Sequence, residues 1–315
     1  MDDSHHSLLI RTARLYYESG LTQSRIAKRL QISRSYVSKL LFEAKKLGIV
    51  KVYVHDPMNN ENRLEKEIRQ RFGLEKVVVA ELSLSDNAAG VVAKRASQWL
   101  DTILSDGDTV ALGWGRTMYL MTQNMRKRKD LKDISVVSLY GMQSIMHENV
   151  YNIEGLTNMT EALGASTCYA LTVPVFLSDE SLKKKILEEK SLLKVFNKLR
   201  SANIAVFTVG IPRRSTFLGG YGGLEQGELD ALLSKDATSE VCLHVLNREG
   251  QVCSENIEKR TVTLPIEELK KKQFRIAVAA GRPKTDAVFS ALKSGIANVL
   301  IIDEDIAKEI VAWRE

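Results

Sequence analysis

Along the first fifty residues, apolar positions recur at helical spacing in three short runs separated by turn residues. Leu8, Leu9, Ala13, Leu15, Tyr16 and Tyr17 make the first run, which Gly20 stops. Thr22 is placed to cap a second helix, in which Ile26, Ala27 and Leu30 share one face. After a three-residue turn, Ser33 caps a third helix whose inner stripe is Val37, Leu40, Leu41 and Ala44, and Gly48 supplies its stop.

Two short helices joined by a tight turn, with a small residue where they cross, form a helix-turn-helix. Ala27 suits the crossing, because a larger side chain would push the helices apart. Gln31 stands at the turn position where glycine is usual, at a cost of up to about 1 kcal/mol if its φ is positive. Arg34, Ser35, Tyr36, Ser38 and Lys39 face outward on the third helix and can hydrogen-bond base edges or phosphates; Arg25 and Ser33 join them as the expected DNA-binding set.

An alternating stretch, Ile49 to Val54, then reads as a wing or tie strand, and Asp56-Pro-Met-Asn-Asn60 reads as a turn-rich linker. Leu64, Ile68 and Phe72 give residues 61–72 a narrow stripe, which suits a connecting or dimer-contact helix. The expected division is therefore a DNA-binding domain over 1–55, a linker helix within 56–75 and a larger domain over 76–315.

From Lys76 onward the period alternates between strand and helix. Strands are expected at 76–81, 109–112, 134–139, 205–209, 241–246, 275–279 and 299–302, with helices at 87–104, 117–128, 180–200, 226–234, 285–294 and 304–313. Such alternation implies an α/β fold, a mainly parallel sheet covered on both faces.

Charge sharpens this division. The chain has 315 residues and a net charge of +6, and residues 1–55 carry ten Lys and Arg against four acids, so the remainder is neutral. A small polyanion-binding module attached to a neutral larger domain has this asymmetry. No run approaches the roughly 20 apolar residues of a membrane span, and the first residues are not a secretion signal, which points to the cytoplasm and to no membrane partner. Cys168, Cys242 and Cys253 lack metal-ligand spacing and are expected to be buried free thiols; no metal or cofactor is expected.

Candidate chemistry lies in glycine turns after strands, where open α/β sheets bind ligands. Gly113-Trp-Gly115-Arg116-Thr117 and Gly281-Arg-Pro-Lys284-Thr285 each run from a strand into a helix start with a basic residue, an arrangement that approaches anions. Gly210 ends a third such strand. None matches the dinucleotide fingerprint or a P-loop, so a smaller phosphorylated or polyhydroxylated ligand is expected. An isomerase or deaminase would need a base and an acid near these loops, for which His147, Glu148, Glu225, Glu228 and Asp286 are candidates; isolated acids and a lone His are more often solvated or structural, so a binding protein is the favoured reading.

Leu21-Thr-Gln-Ser-Arg-Ile-Ala27, Ser33 with Val37-Ser38, Gly113 to Thr117, Gly210-Ile211, Gln226-Gly-Glu228 and Gly281 to Asp303 together resemble the SorC family over essentially the whole chain. The resemblance implies a helix-turn-helix joined to a domain similar to glucosamine-6-phosphate deaminase and ribose-5-phosphate isomerase, operator DNA and a sugar or sugar-phosphate effector, with sorbose or its phosphate one candidate. It further implies a homo-oligomer, dimer or tetramer, that is not an enzyme. Gly113, Gly115, Arg116 and Thr117 would lie at the effector phosphate, Lys284 would be a second anchor, Gln226 would approach the sugar, and Gly141, Gly210 and Asn247 would complete the site. Asn247-Arg-Glu-Gly250 departs from the family's D-x-x-G turn, and Tyr140-Gly141 replaces a glycine pair.

Overall fold

The computed structural model describes residues 3–50, 62–83, 86–142, 146–213, 218 and 223–313. The chain forms two compact units, Met1–Asn60 and Glu61–Glu315.

The first unit contains helices α1 (Asp3–Tyr17), α2 (Gln23–Leu30) and α3 (Arg34–Lys46). Both expected caps form: Thr22 Oγ1 accepts from the Arg25 amide at 3.4 Å, and Ser33 Oγ accepts from the Tyr36 amide at 3.1 Å. Gln31 adopts φ 56°, ψ 39°, the left-handed conformation that closes α2 without a glycine. Leu9, Ala13, Leu40 and Ala44 pack in one small core, and Ile26, Ala27, Val37 and Leu41 in another, where α2 meets α3. A fully buried Leu or Ile contributes roughly 1.5–3 kcal/mol, so these few side chains carry the stability of a unit this small. The expected wing over 49–54 and the turn over 56–60 fall mostly outside the described residues.

In the second unit the helices are α4 (Arg63–Phe72), α5 (Ala88–Ile103), α6 (Arg116–Gln123), α7 (Met146–Leu163), α8 (Glu180–Glu188), α9 (Lys190–Ser201), α10 (Gln226–Leu233), α11 (Glu255–Arg260), α12 (Ile266–Leu269), α13 (Thr285–Lys293) and α14 (Glu304–Ala312). The strands are β1 (Lys76–Ala80), β2 (Thr109–Leu112), β3 (Ser135–Ser138), β4 (Thr167–Tyr169), β5 (Ile204–Gly210), β6 (Ala237–Val241), β7 (His244–Asn247), β8 (Phe274–Ala279) and β9 (Val299–Asp303). The sheet order is β1-β9-β8-β5-β2-β3-β4, all parallel, and the β6–β7 hairpin joins antiparallel at the end of β5. Alternate residues feed opposite cores: Ala205, Phe207 and Val209 enter one, with α4, α9, α10, α13 and α14, while Ile204 and Val206 enter the other, with α5, α6 and α7. Strands buried on both faces are mostly apolar, which is why the central ones read as nearly continuous hydrophobic runs.

Several expectations need correction. Helix α4 is packed on the second unit: Ile68 is buried, the Glu65 carboxylate accepts from the Val79 amide at 2.8 Å, and Arg71 donates to the carbonyls of Ile310 and Trp313. The expected helix over 180–200 breaks at Glu189, whose ψ of 130° is extended. The expected strand over 241–246 is a hairpin turned at Cys242 and Leu243, with φ of 53° and 71°. Cys242 and Cys253 are buried, but Cys168 is exposed on β4. Among the described residues no helix is long and apolar enough to cross a membrane.

Candidate functional site

Strand order reverses between β2 and β5: the chain steps outward from β2 through β3 to β4, and the other way from β5 through β8 to β9. Loops leaving β2 and β5 therefore diverge and open a crevice at their carboxyl ends. A cavity of about 250 Å³ occupies it. Trp114 and Gly115 line it from the β2 loop, Tyr140 from beyond β3, Thr208, Gly210 and Ile211 from β5, Glu240 and Leu243 from the hairpin, and Lys284 from the loop after β8.

Close packing explains two of the glycines. A Cβ on Gly113 would stand 2.6 Å from the Tyr140 hydroxyl, and one on Gly210 would stand 2.6 Å from Glu240 Oε2. Gly115 at φ 119° and Gly281 at φ 95° turn the chain in ways a side chain would strain. Asp303, fully buried, holds the second turn: its Oδ2 accepts from the Gly281 amide at 2.6 Å while its Oδ1 caps α14 at the Ile306 amide.

The polar groups are few and opposed in charge. Lys284 Nζ donates to the Val209 carbonyl at 2.7 Å and lies 3.4 Å from Thr208 Oγ1. Burial pushes the Lys284 ammonium below its usual pKa, and the nearby Glu240 carboxylate partly restores it. Burial likewise pushes Glu240 up, opposed by the Leu243 amide donating at 2.7 Å and by Lys284 and His244. Tyr140 is buried, which raises its hydroxyl's pKa well above the ordinary value, and that hydroxyl accepts from the Trp114 amide at 3.2 Å. The Trp114 indole donates to the Gly141 carbonyl at 3.1 Å, which fixes its ring edge-on to Tyr140. An ammonium, a carboxylate, a phenol and an indole around a small cavity can hydrogen-bond hydroxyls and hold one anionic group.

Of the residues expected from sequence, Gly115, Gly210 and Lys284 line this cavity, and Gly113 and Gly141 support it through Tyr140 and Trp114. Thr117 is buried in the first turn of α6, whereas Arg116 is exposed and does not line the cavity. Gln226 is exposed and donates to Asp230 at 3.2 Å on its own helix. Asn247 is a turn residue: its Oδ1 accepts from the Glu249 and Gln251 amides, and Gly250 lies so close to α13 that a Cβ would be 2.5 Å from the Ser294 nitrogen. Sequence reading passes over Glu240, Trp114 and Thr208 as site residues. A lone acid in a short strand carries no pattern, although Trp114 between two glycines is a signal that could have drawn attention.

The candidate acids and bases of an enzyme are scattered. Glu225 and Glu228 form a capping box at the start of α10, Glu228 also pairs with Arg260, and Asp286 is exposed. His147 and Glu148 have side chains outside the described residues.

In the first unit Arg25, Arg34, Ser35, Ser38 and Lys39 are exposed, as an outward recognition face requires. Ser33 spends its hydroxyl on the cap and on Ser35 at 2.9 Å, and Tyr36 is half-buried against the core of Leu9 and Leu40.

Residues 56–312 match the family model described as "Putative sugar-binding domain", and residues 14–46 match that of "Sigma-70, region 4". The chain is 34% identical over 314 residues, 99% of each chain, to the deoxyribonucleoside regulator of Bacillus subtilis (strain 168). It is 23% identical to the sorbitol operon regulator of Klebsiella pneumoniae over 96% of each chain. The crystal structure of the full-length sorbitol operon regulator SorC from Klebsiella pneumoniae shares its fold, with a TM-score of 0.72, 23% identity and coverage of 98% of this chain and 100% of that one.

Proposed function

The chain belongs to the SorC family of sugar-responsive, DNA-binding transcriptional regulators, and we propose that its effector, a sugar or sugar phosphate, binds in the cavity between Trp114, Glu240 and Lys284. The observation that carries this reading is the convergence of one ammonium, one carboxylate and two positive-φ glycine turns at the carboxyl ends of β2, β5 and β8. At about 250 Å³ the cavity is smaller than the roughly 300–1,000 Å³ that drug-sized ligands occupy, so it suits a monosaccharide. A phosphate or carboxylate would sit at Lys284, and Glu240 would accept sugar hydroxyls.

In this reading α3 enters the major groove of an operator, with Arg34, Ser35, Ser38 and Lys39 toward the DNA and Arg25 toward the backbone. The protein acts in the cytoplasm as a symmetric homo-oligomer, dimer or tetramer, on a roughly palindromic site. It regulates rather than catalyses, a reading supported by Glu225 and Glu228, which are engaged in a cap and an ion pair, and by Asp286, which faces solvent.

A thermal-shift panel tests the effector assignment. It should hold deoxyribonucleosides, as the name of the Bacillus relative suggests, together with pentoses, hexitols, sorbose and their phosphates. A ligand at a hundred times its Kd stabilises the folded state by about 2.7 kcal/mol, a shift of several degrees, and the same compound should change operator retention in a gel shift. Turnover of any panel sugar by the purified protein would overturn the regulator-only reading.

A further inference from the structure

Helix α13, which leaves the Lys284 loop, and helix α14, which is bonded to that loop, both reach α4. Helix α13 begins at Thr285, directly after Lys284, and its Phe289 packs edge-on against Phe72 of α4 at 5.5 Å and stacks on Trp313 at 4.8 Å. Helix α14 is capped by Asp303, which accepts from the Gly281 amide, and its Glu309 pairs with Arg282 of the same loop at 2.5 Å. At its far end, Arg71 of α4 donates to the carbonyls of Ile310 at 2.9 Å and Trp313 at 2.8 Å. The Arg71 guanidinium also lies 5.5 Å from the ring centres of both Phe72 and Phe289. It therefore touches the ends of both routes from the loop, by hydrogen bonds to one helix and by cation–π contact to the other.

The opposite end of α4 is fixed to the sheet. Glu65 accepts from the Val79 amide at 2.8 Å and from the Asn62 amide at 3.1 Å, so one carboxylate both caps the helix and ties its first turn to β1. A helix held at two points moves as a body, and a chain of packed, hydrogen-bonded elements is what carries coupling between distant sites.

We propose that Arg71 is the positioning residue that passes the state of the Gly281–Lys284 loop to α4, and so toward the DNA-binding unit. The functional meaning rests on the effector assignment above, but the clamp does not. Lys284 Nζ spends a hydrogen bond on the Val209 carbonyl. Any anion that draws the ammonium into the cavity competes with that bond, and the loop is then free to shift Asp303 and the start of α13 together. Arg71 is where both displacements arrive.

The test is a double-mutant cycle read by hydrogen exchange on the full-length protein without any sugar, so its outcome does not depend on whether the cavity binds one. Lys284→Met releases the loop from β5. It should speed exchange in the first turns of α13 and α14 and across residues 66–72, the latter by about 3–10-fold, the size usual for coupling along packed networks. In an Arg71→Met background the same Lys284 change should still act on α13 and α14 but leave 66–72 at the rate of the Arg71→Met protein. Arg71→Lys, which can keep one of the two carbonyl bonds, should fall between. Unchanged exchange in β5 and β8 shows that each variant is folded. An arginine that merely braces α4 would let Lys284→Met act on 66–72 equally in both backgrounds, and that result, or no effect of Lys284→Met on 66–72, overturns the proposal.

Discussion

Lys284 Nζ and the carbonyl oxygen of Val209 are 2.7 Å apart, so the cation at the mouth of β8 is held by the backbone of the neighbouring strand. Among the described residues that line this cavity, Lys284 is the one lysine. Lys284→Met should weaken binding of an anionic sugar about 10–100-fold, the 1.5–3 kcal/mol of a charged hydrogen bond. A neutral sugar should lose less. Calorimetry with a sugar and its phosphate separates the two, and equal losses would mean that Lys284 does not hold the anionic group.

Gly113→Ala puts a methyl group where the Tyr140 hydroxyl stands, 2.6 Å away. Tyr140 must then leave the Trp114 amide and move against the cavity wall. The expected outcome is a folded protein destabilised by about 1–3 kcal/mol, as overpacking usually costs, with its sugar-induced thermal shift reduced or lost. A variant that keeps a full ligand shift would place the effector elsewhere.

Gln31 occupies the left-handed region at φ 56°, where glycine is at ease and side chains are not. Gln31→Gly should stabilise the first unit by up to about 1 kcal/mol, and Gln31→Val should destabilise it. Urea unfolding followed by helical circular dichroism reads both, and matching effects in the two variants would contradict the backbone argument.

Arg34→Ala together with Lys39→Ala removes two exposed cations from α3. Operator affinity should collapse, and where the two residues neutralise DNA phosphates the slope of log affinity against log salt should fall by about 0.9 for each phosphate left without its cation. The sugar-induced thermal shift should be untouched, and retained DNA binding would mean that α3 is not the reading helix.

Lys272 is buried and caps the end of α9, donating to the carbonyls of Leu199 at 2.7 Å and Ala202 at 2.9 Å. Burial lowers its pKa from 10.5 to about 8. Below pH 8 the charged lysine is held at a cost in the folded state. Between pH 8 and 10.5 the unfolded chain binds more protons, so stability gains on the order of 3 kcal/mol as pH rises through that window. The stability of the native protein relative to Lys272→Met should therefore climb from pH 7.5 to 10, and a flat difference would refute the assigned burial cost.

What can be read from the sequence follows from how many neighbours each segment needs. The strand at 109–112, Thr-Val-Ala-Leu, is apolar after its first residue and flanked by Gly107 and Gly113, and the structure sets it at the same residues. The caps at Thr22 and Ser33 depend on groups three residues away and are equally visible. Helix α7 is not: Asn152, Gly155 and Asn158 interrupt its apolar positions, and Ile153 remains exposed. The hairpin at Cys242 and Leu243 hides inside a run, Val241 to Leu246, that is apolar but for His244, because its turn is held by the Glu240 carboxylate and not by a turn residue. That carboxylate also lines the cavity, so one side chain conceals both a turn and a part of the cavity wall. Asn247 and Gln226 sit in motifs that match by spacing, yet their side chains serve local hydrogen bonds.

Pairing of β1 with β9 brings residues 76–80 beside residues 299–303. As the chain leaves the ribosome, the helix-turn-helix has its own small cores, built within its first 50 residues, while β1 and α4 wait for partners more than 200 residues later. Local contacts form fast and distant ones slowly. The helix-turn-helix unit is thus complete before the second unit can close, and a nascent or truncated chain lacking residues 299–313 would carry a folded first unit while α4 and β1 lack their partners.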